Sequence, residues 1–445
     1  MPLRSAIDGG SDSVDPASTG RRRCRCRPSA KNFLGTRGLP VCESCFSRVI
    51  HKGEVVEFDY LIIGGGIQGL ILLDRMRALG LNVCCVERAA DVGSGQTLRS
   101  QFYVHRGHFY TERDLIWQLN DGYPMWQRIV HRLGVRIRST RSYIGFTGDS
   151  GAWTDAWDSQ DVPYTHATGK SAVLEGHRLA EVFTFPHMLI DGREFVAKLS
   201  DANRHLIRLG EIGNIMRSNR GYRFTLNGQA MSTRKIVVCA GAGTPSVLSG
   251  IDGLDRKVEV QTRLCQVLVM RGKLPNESVL VPDAQMFIAP QYNPDGSPVL
   301  LYTYGTDPVD AGNGDALDME RIARQVDALN RTLPALGAAA ASGDVYLARK
   351  TESAMLGRGL RPNKAFVERV ADDVLCVLPT KLSLAINAAD EVLAKLGIQH
   401  RKQPEPVPVG VPPHYLVNHA VNAFRRAQHA VLNHAATTHR GAQHA

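Results

Sequence analysis

Three glycines and one carboxylate near the start of this chain are spaced for a definite chemistry. Gly64, Gly66 and Gly69 stand in G-x-G-x-x-G, and Glu87 closes the next apolar run. A first glycine allows a tight turn, the second lets backbone approach a pyrophosphate, and the third lets a helix close on the preceding strand. The helix that begins at Ile67 and Gln68 would then aim its N-terminus at phosphate charge, with the acid left for ribose hydroxyls. Dinucleotide binding is the chemistry this pattern predicts. An acid in that place suits FAD or NAD better than NADP, although Arg88 follows directly and is a further candidate contact.

The elements that must hold these residues are written around them. Tyr60 to Ile63 is a short apolar strand, and Ile67, Leu70, Ile71 and Leu79 recur at near-helical spacing before Gly80 stops the helix. Asn82 to Val86 reads as the second strand. Beyond it, GSGQTLRSQFYVHRGHFYTERD (93–114) is dense in small and hydrogen-bonding residues. On a doubly wound sheet that segment emerges at the carboxyl edge, where ligands bind. Gln96, Thr97, Ser100 and Gln101 are therefore candidate cofactor contacts. Thr111 with Asp114 forms a capping-box pattern ahead of a helix in which Leu115, Ile116, Leu119, Trp126, Ile129 and Leu133 are apolar.

A chain of 445 residues has room for two or three domains. No apolar run approaches the ~20 residues that a membrane helix needs. The formal charge of +10 sits in the ends: residues 1–53 carry ten Lys/Arg against four Asp/Glu, and residues 399–445 carry five against one. The body between them is balanced, so no nucleic-acid partner is expected for it. Of nine cysteines, Cys84, Cys85, Cys239, Cys265 and Cys376 lie mostly in apolar runs, and no secretory leader is visible. Reduced thiols and a cytoplasmic location are expected. Cys24-x-Cys26 and Cys42-x-x-Cys45 could furnish four thiolates to zinc, but the first pair lacks the usual two-residue gap, and no metal is assigned.

The expected organisation is a basic, mostly disordered tail (1–53), a first cofactor-domain segment (54–115), a substrate or helical region (116–185), a second cofactor segment (186–250), a substrate domain (251–349), a third cofactor segment (350–398) and a Pro/His-rich tail (399–445). Residues 146–170, with Trp153, Trp157 and Tyr164, read as a loop or small subdomain. Arg193 to Leu209 can be helical, and a hairpin turns at Asn227-Gly228. KIVVCAGAGT (235–244) is a buried strand entering a second glycine turn, with Ala240 and Gly241 as cofactor candidates. VEVQTRLCQVLVM, VLVP, MFIAP and VLLYTYG suit an antiparallel sheet, and 316–335 is helical. Strands near Ala365–Val370 and Asp373–Leu378 and a helix from Leu382 to Leu396 return to the first domain. In the last tail His414, His419, His429, His434, His439 and His444 are mostly five apart, which is not a helical face, so surface low-complexity sequence is the reading there.

Three segments together resemble the FAD-dependent oxidoreductases of the D-amino-acid oxidase superfamily: FDYLIIGGGIQG with Glu87, RSQFYVHRGHFY (99–110), and KIVVCAGAGT. The second is similar to the stretch in glycerol-3-phosphate dehydrogenase and L-2-hydroxyglutarate oxidase type flavoproteins where a Ser-rich turn leads to H-x-G and then Tyr; here Ser100, His105, Gly107 and Tyr110 match. The resemblance covers about residues 57–398. It implies an α/β architecture in which a Rossmann-like FAD-binding domain is interrupted by an antiparallel-sheet α+β substrate domain. The family's glycine-rich turn before the last helix is here Leu378-Pro379-Thr380-Lys381-Leu382, without glycine. Thr380, Lys381 and Leu382 are still expected to face the flavin pyrimidine edge, with Lys381 steadying negative charge. The family's Gly-x-Arg-Pro region is here ARKTES followed by GRGLRP, leaving Lys350, Arg358 and Arg361 as candidates for a substrate-carboxylate clamp.

What the resemblance implies is oxidation of a carbon–heteroatom bond in a small polar metabolite (a 2-hydroxy acid, an amino acid or similar), with hydride passing to flavin N5. His105 is the expected base because an imidazole titrates near the working pH, with packing or backbone hydrogen bonding as its bland alternative. His108 is a lesser candidate. Lys350 and Tyr304 are the other catalytic candidates; Tyr302 and Tyr304 alternate on one strand and could equally be core, and Glu352 reads as a simple ion pair with Lys350. The acceptor (oxygen, quinone or a protein) is open. A non-catalytic flavoprotein module and an NAD-linked dehydrogenase are the rival readings. A disulfide reductase would need a C-x-x-x-x-C pair, which adjacent Cys84 and Cys85 do not supply.

Overall fold

The computed structural model describes residues 55–167, 171–293, 295–305, 317–357 and 359–399. The Cys24/Cys26/Cys42/Cys45 group, the Pro/His-rich tail from 400 on and Arg358 lie outside the described residues.

The chain opens with β1 (Val56–Ile63), α1 (Ile67–Ala78) and β2 (Val83–Glu87). Then come β3 (Tyr103–Val104), α2 (Arg113–Arg132), β4 (Ile137–Phe146), α3 (Gly151–Asp158), β5 (Thr165–His166) and β6 (Glu181–Ile190). α4 (Gly192–Ala202) leads to β7 (Ile207–Leu209), β8 (Met216–Ser218), β9 (Gly221–Leu226), β10 (Gln229–Val238) and α5 (Thr244–Ser249). Next are β11 (Val260–Gly272), β12 (Ser278–Val281), β13 (Met286–Tyr292), β14 (Pro298–Tyr304), α6 (Met319–Thr332), α7 (Pro334–Ala339) and β15 (Ala340–Ser353). β16 (Phe366–Ala371), β17 (Val374–Leu378) and α8 (Ala385–Lys395) complete it.

The first sheet runs β16-β17-β10-β1-β2-β7, with β9 and β8 added beyond β10. Its middle is parallel: β1 pairs β2 and β10, and β10 pairs β17, all in the same direction. Such strands are buried on both faces, which is why they read as unbroken apolar runs. The period of two still sorts them. Ile62, Val237 and Leu375 face α1, α2 and α8, while Leu61, Ile63, Val238 and Cys376 face the hairpin residues Tyr222 and Phe224. α8 packs on α1 through Ile386, Ala389 and Leu393 in the first of these cores.

The second sheet runs β15-β11-β14-β13-β12-β4-β6-β3, with β5 on β6. It is antiparallel, as expected, except where β12 runs parallel to β4. It draws strands from three places in the chain. β3 comes from inside 54–115, β6 runs across the boundary expected at 185, and β15 across the one expected at 349. The chain therefore crosses between sheets at β3 and again after Ile190.

Three local expectations change. Arg193–Leu209 is not one helix: α4 stops at Ala202, where the buried Asn203 side chain donates to the Leu199 carbonyl (2.8 Å), and Ile207–Leu209 joins the sheet beside β2. The Thr111/Asp114 capping box is not made; Glu112 occupies the N-cap of α2 with no side-chain cap, and Asp114 in the first turn complements the helix dipole instead. The 146–170 segment forms α3, and its Trp157 is wholly buried among Phe146, Tyr164 and Phe183, so it serves a core.

Candidate active site

The glycine turn sits at the carboxyl end of β1, flanked by the ends of β2 and β10. Gly64 has φ +113°, and a Cβ there would stand 2.5 Å from the Cys239 carbonyl oxygen. A Cβ on Gly69 would come within 1.9 Å of the Gly64 oxygen, so α1 can close on the turn only without one. The Gly65 amide donates to Glu87 Oε2 (2.7 Å) and the Ala89 amide to Oε1 (2.8 Å), which aims the carboxylate at the turn. Each oxygen keeps a further lone pair for a hydroxyl donor. Thr97 is buried and its Oγ1 accepts the free Ile67 amide of the first turn of α1 (2.9 Å). The buried polar atoms of Gln68, Oε1 of Gln96 and Nε2 of Gln101 have no hydrogen-bond partner among the described residues. A cradle that a Cβ would fill, an oriented carboxylate and buried amides of this kind fit a dinucleotide.

The second half of the site is built from segments far apart in sequence. His105 follows β3, and its Nδ1 accepts the Gly107 amide (3.0 Å), which leaves the proton of the neutral ring on Nε2. Gly107 has φ +103°, and a Cβ there would meet the Ile116 Cα at 2.8 Å, so the turn after His105 demands glycine. The Gly107 carbonyl then accepts the Tyr110 amide (3.0 Å), which brings the Tyr110 ring to 5.8 Å from that of His105. Ser383, just before α8, donates through its hydroxyl to the Tyr103 carbonyl (3.3 Å) and so docks the closing turn against β3. Thr380 has φ +61°, a left-handed residue doing the work of the glycine that resembling proteins have in this turn. It delivers Lys381, whose Nζ lies 5.2 Å from the Tyr110 ring centroid and donates to the Pro362 carbonyl (3.1 Å).

Burial governs the titration here. The Lys381 amine is pushed down to about 7, first by burial and then by the Arg361 and Lys350 charges, against Glu352 and Glu112. His105 is pushed down to about 3 by burial and by Lys381. The reason given for His105 as a base, a titration near neutral pH, is thus corrected: its ring stays neutral through the working range and presents Nε2–H as a donor. Burial raises Tyr110, with Arg361 and Lys350 opposing.

Of the predicted residues, Gly64, Gly66, Ile67, Gln68, Gly69, Glu87 and Thr97 gather at the glycine turn, with Ala240 and Gly241 on the neighbouring strand end and Arg88 exposed. Gln96, Ser100 and Gln101 line the approach to β3, where the Ser100 hydroxyl accepts the Phe102 amide (3.4 Å). Leu382 opens the turn of Leu382–Leu384 that Ser383 docks. Lys350 lies within electrostatic reach of Tyr110 and Lys381. Tyr304 does not join them; it packs on the core beneath α6, and its carbonyl accepts from Arg321 (3.1 Å). Tyr302 is core as well, its hydroxyl donating to the Gln325 carbonyl (2.9 Å). His108 is structural: its Nε2 donates to the Pro163 carbonyl (3.0 Å) and its ring packs on Phe185. Glu352 pairs with Arg263. Sequence reading did not single out the buried Gln261 and Arg263, two of several polar residues in β11.

A family model described as FAD dependent oxidoreductase matches residues 59–370. The probable FAD-dependent oxidoreductase PA4991 of Pseudomonas aeruginosa is 24% identical over 364 residues, 77% of this chain and 92% of that protein. Its crystal structure aligns with a TM-score of 0.58 at 22% identity, over 82% of this chain and 99% of that one. L-alpha-glycerophosphate oxidase from Mycoplasma pneumoniae, solved with FAD bound, gives 0.63 at 17% identity, covering 78% and 97%. L-proline dehydrogenase from P. horikoshii gives 0.64 at 13%, covering 80% and 96%. At such identities the solved structures bear on the fold, which they share over most of their length.

Proposed function

Since the chain belongs to the FAD-dependent oxidoreductase family, we propose that it oxidises a small anionic metabolite at a carbon–oxygen or carbon–nitrogen bond beside His105 and Lys381. It is an FAD-dependent enzyme, which rules out the NAD-linked reading. The observation that carries the proposal is the half-buried Lys381, whose amine is held by the Pro362 carbonyl next to Tyr110 and His105. When bound, FAD supplies the two-electron acceptor. The glycine turn and Glu87 would hold its adenosine and pyrophosphate end, and the Lys381 turn would lie toward its reactive end.

The chain's own groups divide the remaining work. Arg361 and Lys350 attract the substrate's carboxylate or phosphate. His105 orients the reacting hydroxyl or amine through Nε2–H. Lys381 Nζ takes the proton that leaves that group. A protonated amine has no lone pair, so Lys381 accepts only above its titration at about 7, and the reaction rises with pH through that value. The compared proteins are named for glycerophosphate and proline, molecules that carry a phosphate and a carboxylate, which agrees with the cation cluster. Among the described residues five buried free thiols support a reducing, cytoplasmic setting. No helix among the described residues is long and apolar enough to cross a membrane.

The test is anaerobic reduction of the purified holoprotein by a panel of 2-hydroxy acids, amino acids and polyol phosphates. One class should bleach the flavin while analogues that lack its carboxylate or phosphate do not. A protein that neither carries nor binds FAD, or one reduced equally well by such analogues, would contradict the proposal.

A further inference from the structure

A buried polar cluster lies behind the proposed site, on the two strands at the edge of the second sheet. β11 and β15 pair so that Gln261 faces Glu352 and Arg263 faces Lys350. Alternate residues share a face, so Gln261, Arg263 and Glu352 meet; they are 0%, 7% and 2% exposed. Arg263 Nε donates to Glu352 Oε1 (2.5 Å) and Gln261 Nε2 donates to the same oxygen (2.9 Å). Three further bonds leave the cluster for one short backbone stretch. Gln261 Nε2 donates to the Leu360 carbonyl (2.7 Å), Arg263 Nη2 donates to the Gly359 carbonyl (2.8 Å), and the Gly359 amide donates to Gln261 Oε1 (2.8 Å).

Among the described residues that stretch also holds itself by backbone bonds, from the Gly357 amide to the Ala354 carbonyl (2.9 Å) and from the Leu360 amide to the Gly357 carbonyl (3.2 Å). Met355, Leu356 and Leu360 are 51%, 62% and 58% exposed, so the loop buries little apolar surface of its own. Yet it carries Arg361, and its Pro362 carbonyl is the acceptor for Lys381. A buried ion pair is a poor source of stability, because apolar residues of similar volume often do as well. A fully bonded polar network does fix geometry.

We propose that Gln261, Arg263 and Glu352 form a positioning unit that pins the backbone at Gly359 and Leu360 and thereby holds Arg361 and Lys381 against Tyr110 and His105. It rests on the function proposed above and deepens it by naming what sets the site's geometry. Glu352 adds its own charge to the field at Lys381.

The test uses holoenzyme of Gln261→Met, which removes the two side-chain bonds that Gln261 makes to the loop. Two readouts are needed: hydrogen exchange of the peptide spanning 359–362, and the visible flavin spectrum titrated from about pH 6 to 9. Exchange should be at least ~10-fold faster than in the native protein. FAD should remain bound, and a spectral transition near pH 7 in the native protein should move upward as water reaches Lys381. If exchange is unchanged, the unit does not pin the loop; if exchange rises while the transition stays in place, the unit is structural only. Either result overturns the inference. Exchange needs neither flavin nor substrate, so a failed reading of Lys381, shown by a native spectrum without that transition, is told apart from a failed loop. If Gln261→Met does not fold, the double variant Arg263→Met, Glu352→Met removes both buried charges and the Arg263 bond to the loop, and it is read by hydrogen exchange alone, because losing the Glu352 charge itself lowers Lys381: faster exchange at 359–362 is expected, and unchanged exchange overturns the inference.

Discussion

The glycine turn and the Lys381 cluster, the two ends of the proposed site, are built in opposite ways. The first is local. Gly64, Gly66, Gly69 and Glu87 lie within one strand–turn–helix–strand unit, and backbone amides hold the carboxylate in place. The second joins His105 and Tyr110 after β3, Arg361 before β16 and Lys381 after β17. Its chemistry comes from burial and neighbouring charge more than from residue type. A site that binds a common cofactor can be fixed by backbone shape, whereas one that moves a proton needs tuned side chains.

That contrast can be broken at either end. Lys381→Met should lower the rate of flavin reduction by on the order of 10²–10⁴ while FAD stays bound, because a positioned proton acceptor is worth that much; rapid-mixing absorbance checks it. Gly69→Ala should do the reverse. Its methyl group would press on the Gly64 oxygen at 1.9 Å, and overpacking of about 1–3 kcal/mol should weaken FAD binding by roughly 10–100-fold. Flavin titration of the apoprotein measures it, and flavin reduction in the fraction that remains loaded should be near native. Arg361→Ala should raise KM by about 10-fold with little change in kcat, as loss of a charged hydrogen bond of about 1.5–3 kcal/mol to a substrate anion would; steady-state kinetics on the best anionic substrate decide it. The smallest effect is expected at Thr380. A left-handed residue with a Cβ costs about 1–2 kcal/mol, and the added chain freedom of glycine returns about 0.5–1. Thr380→Gly should therefore raise stability by less than about 1 kcal/mol, seen as a small upward shift in thermal midpoint.

The same contrast explains what could be read from the sequence. The first sheet was legible because parallel strands buried on both faces must be apolar runs, and the glycine spacing marks the turn between them. β7 was not legible: Ile207–Leu209 has no strand signature and is recruited by the open edge of β2. His105 and Tyr110 were found through the H-x-G spacing, whose cause is the close approach of Gly107 to Ile116. The protonation of His105 was misjudged because burial is a tertiary property. Tyr304 alternates with Tyr302 as a pocket residue would, but the pattern does not say which layer that face meets, and it meets α6. Gln261 and Arg263 became intelligible only when the register with Lys350 and Glu352 was known.

The central claim is that a half-buried lysine, not the neighbouring buried histidine, changes protonation as the enzyme works. The pH dependence of anaerobic flavin reduction in the native holoenzyme tests it most directly. A single rise with its midpoint near pH 7, absent in Lys381→Met and retained with the same midpoint in His105→Gln at a lower rate, is the predicted result. A midpoint that persists in Lys381→Met and vanishes in His105→Gln would contradict it.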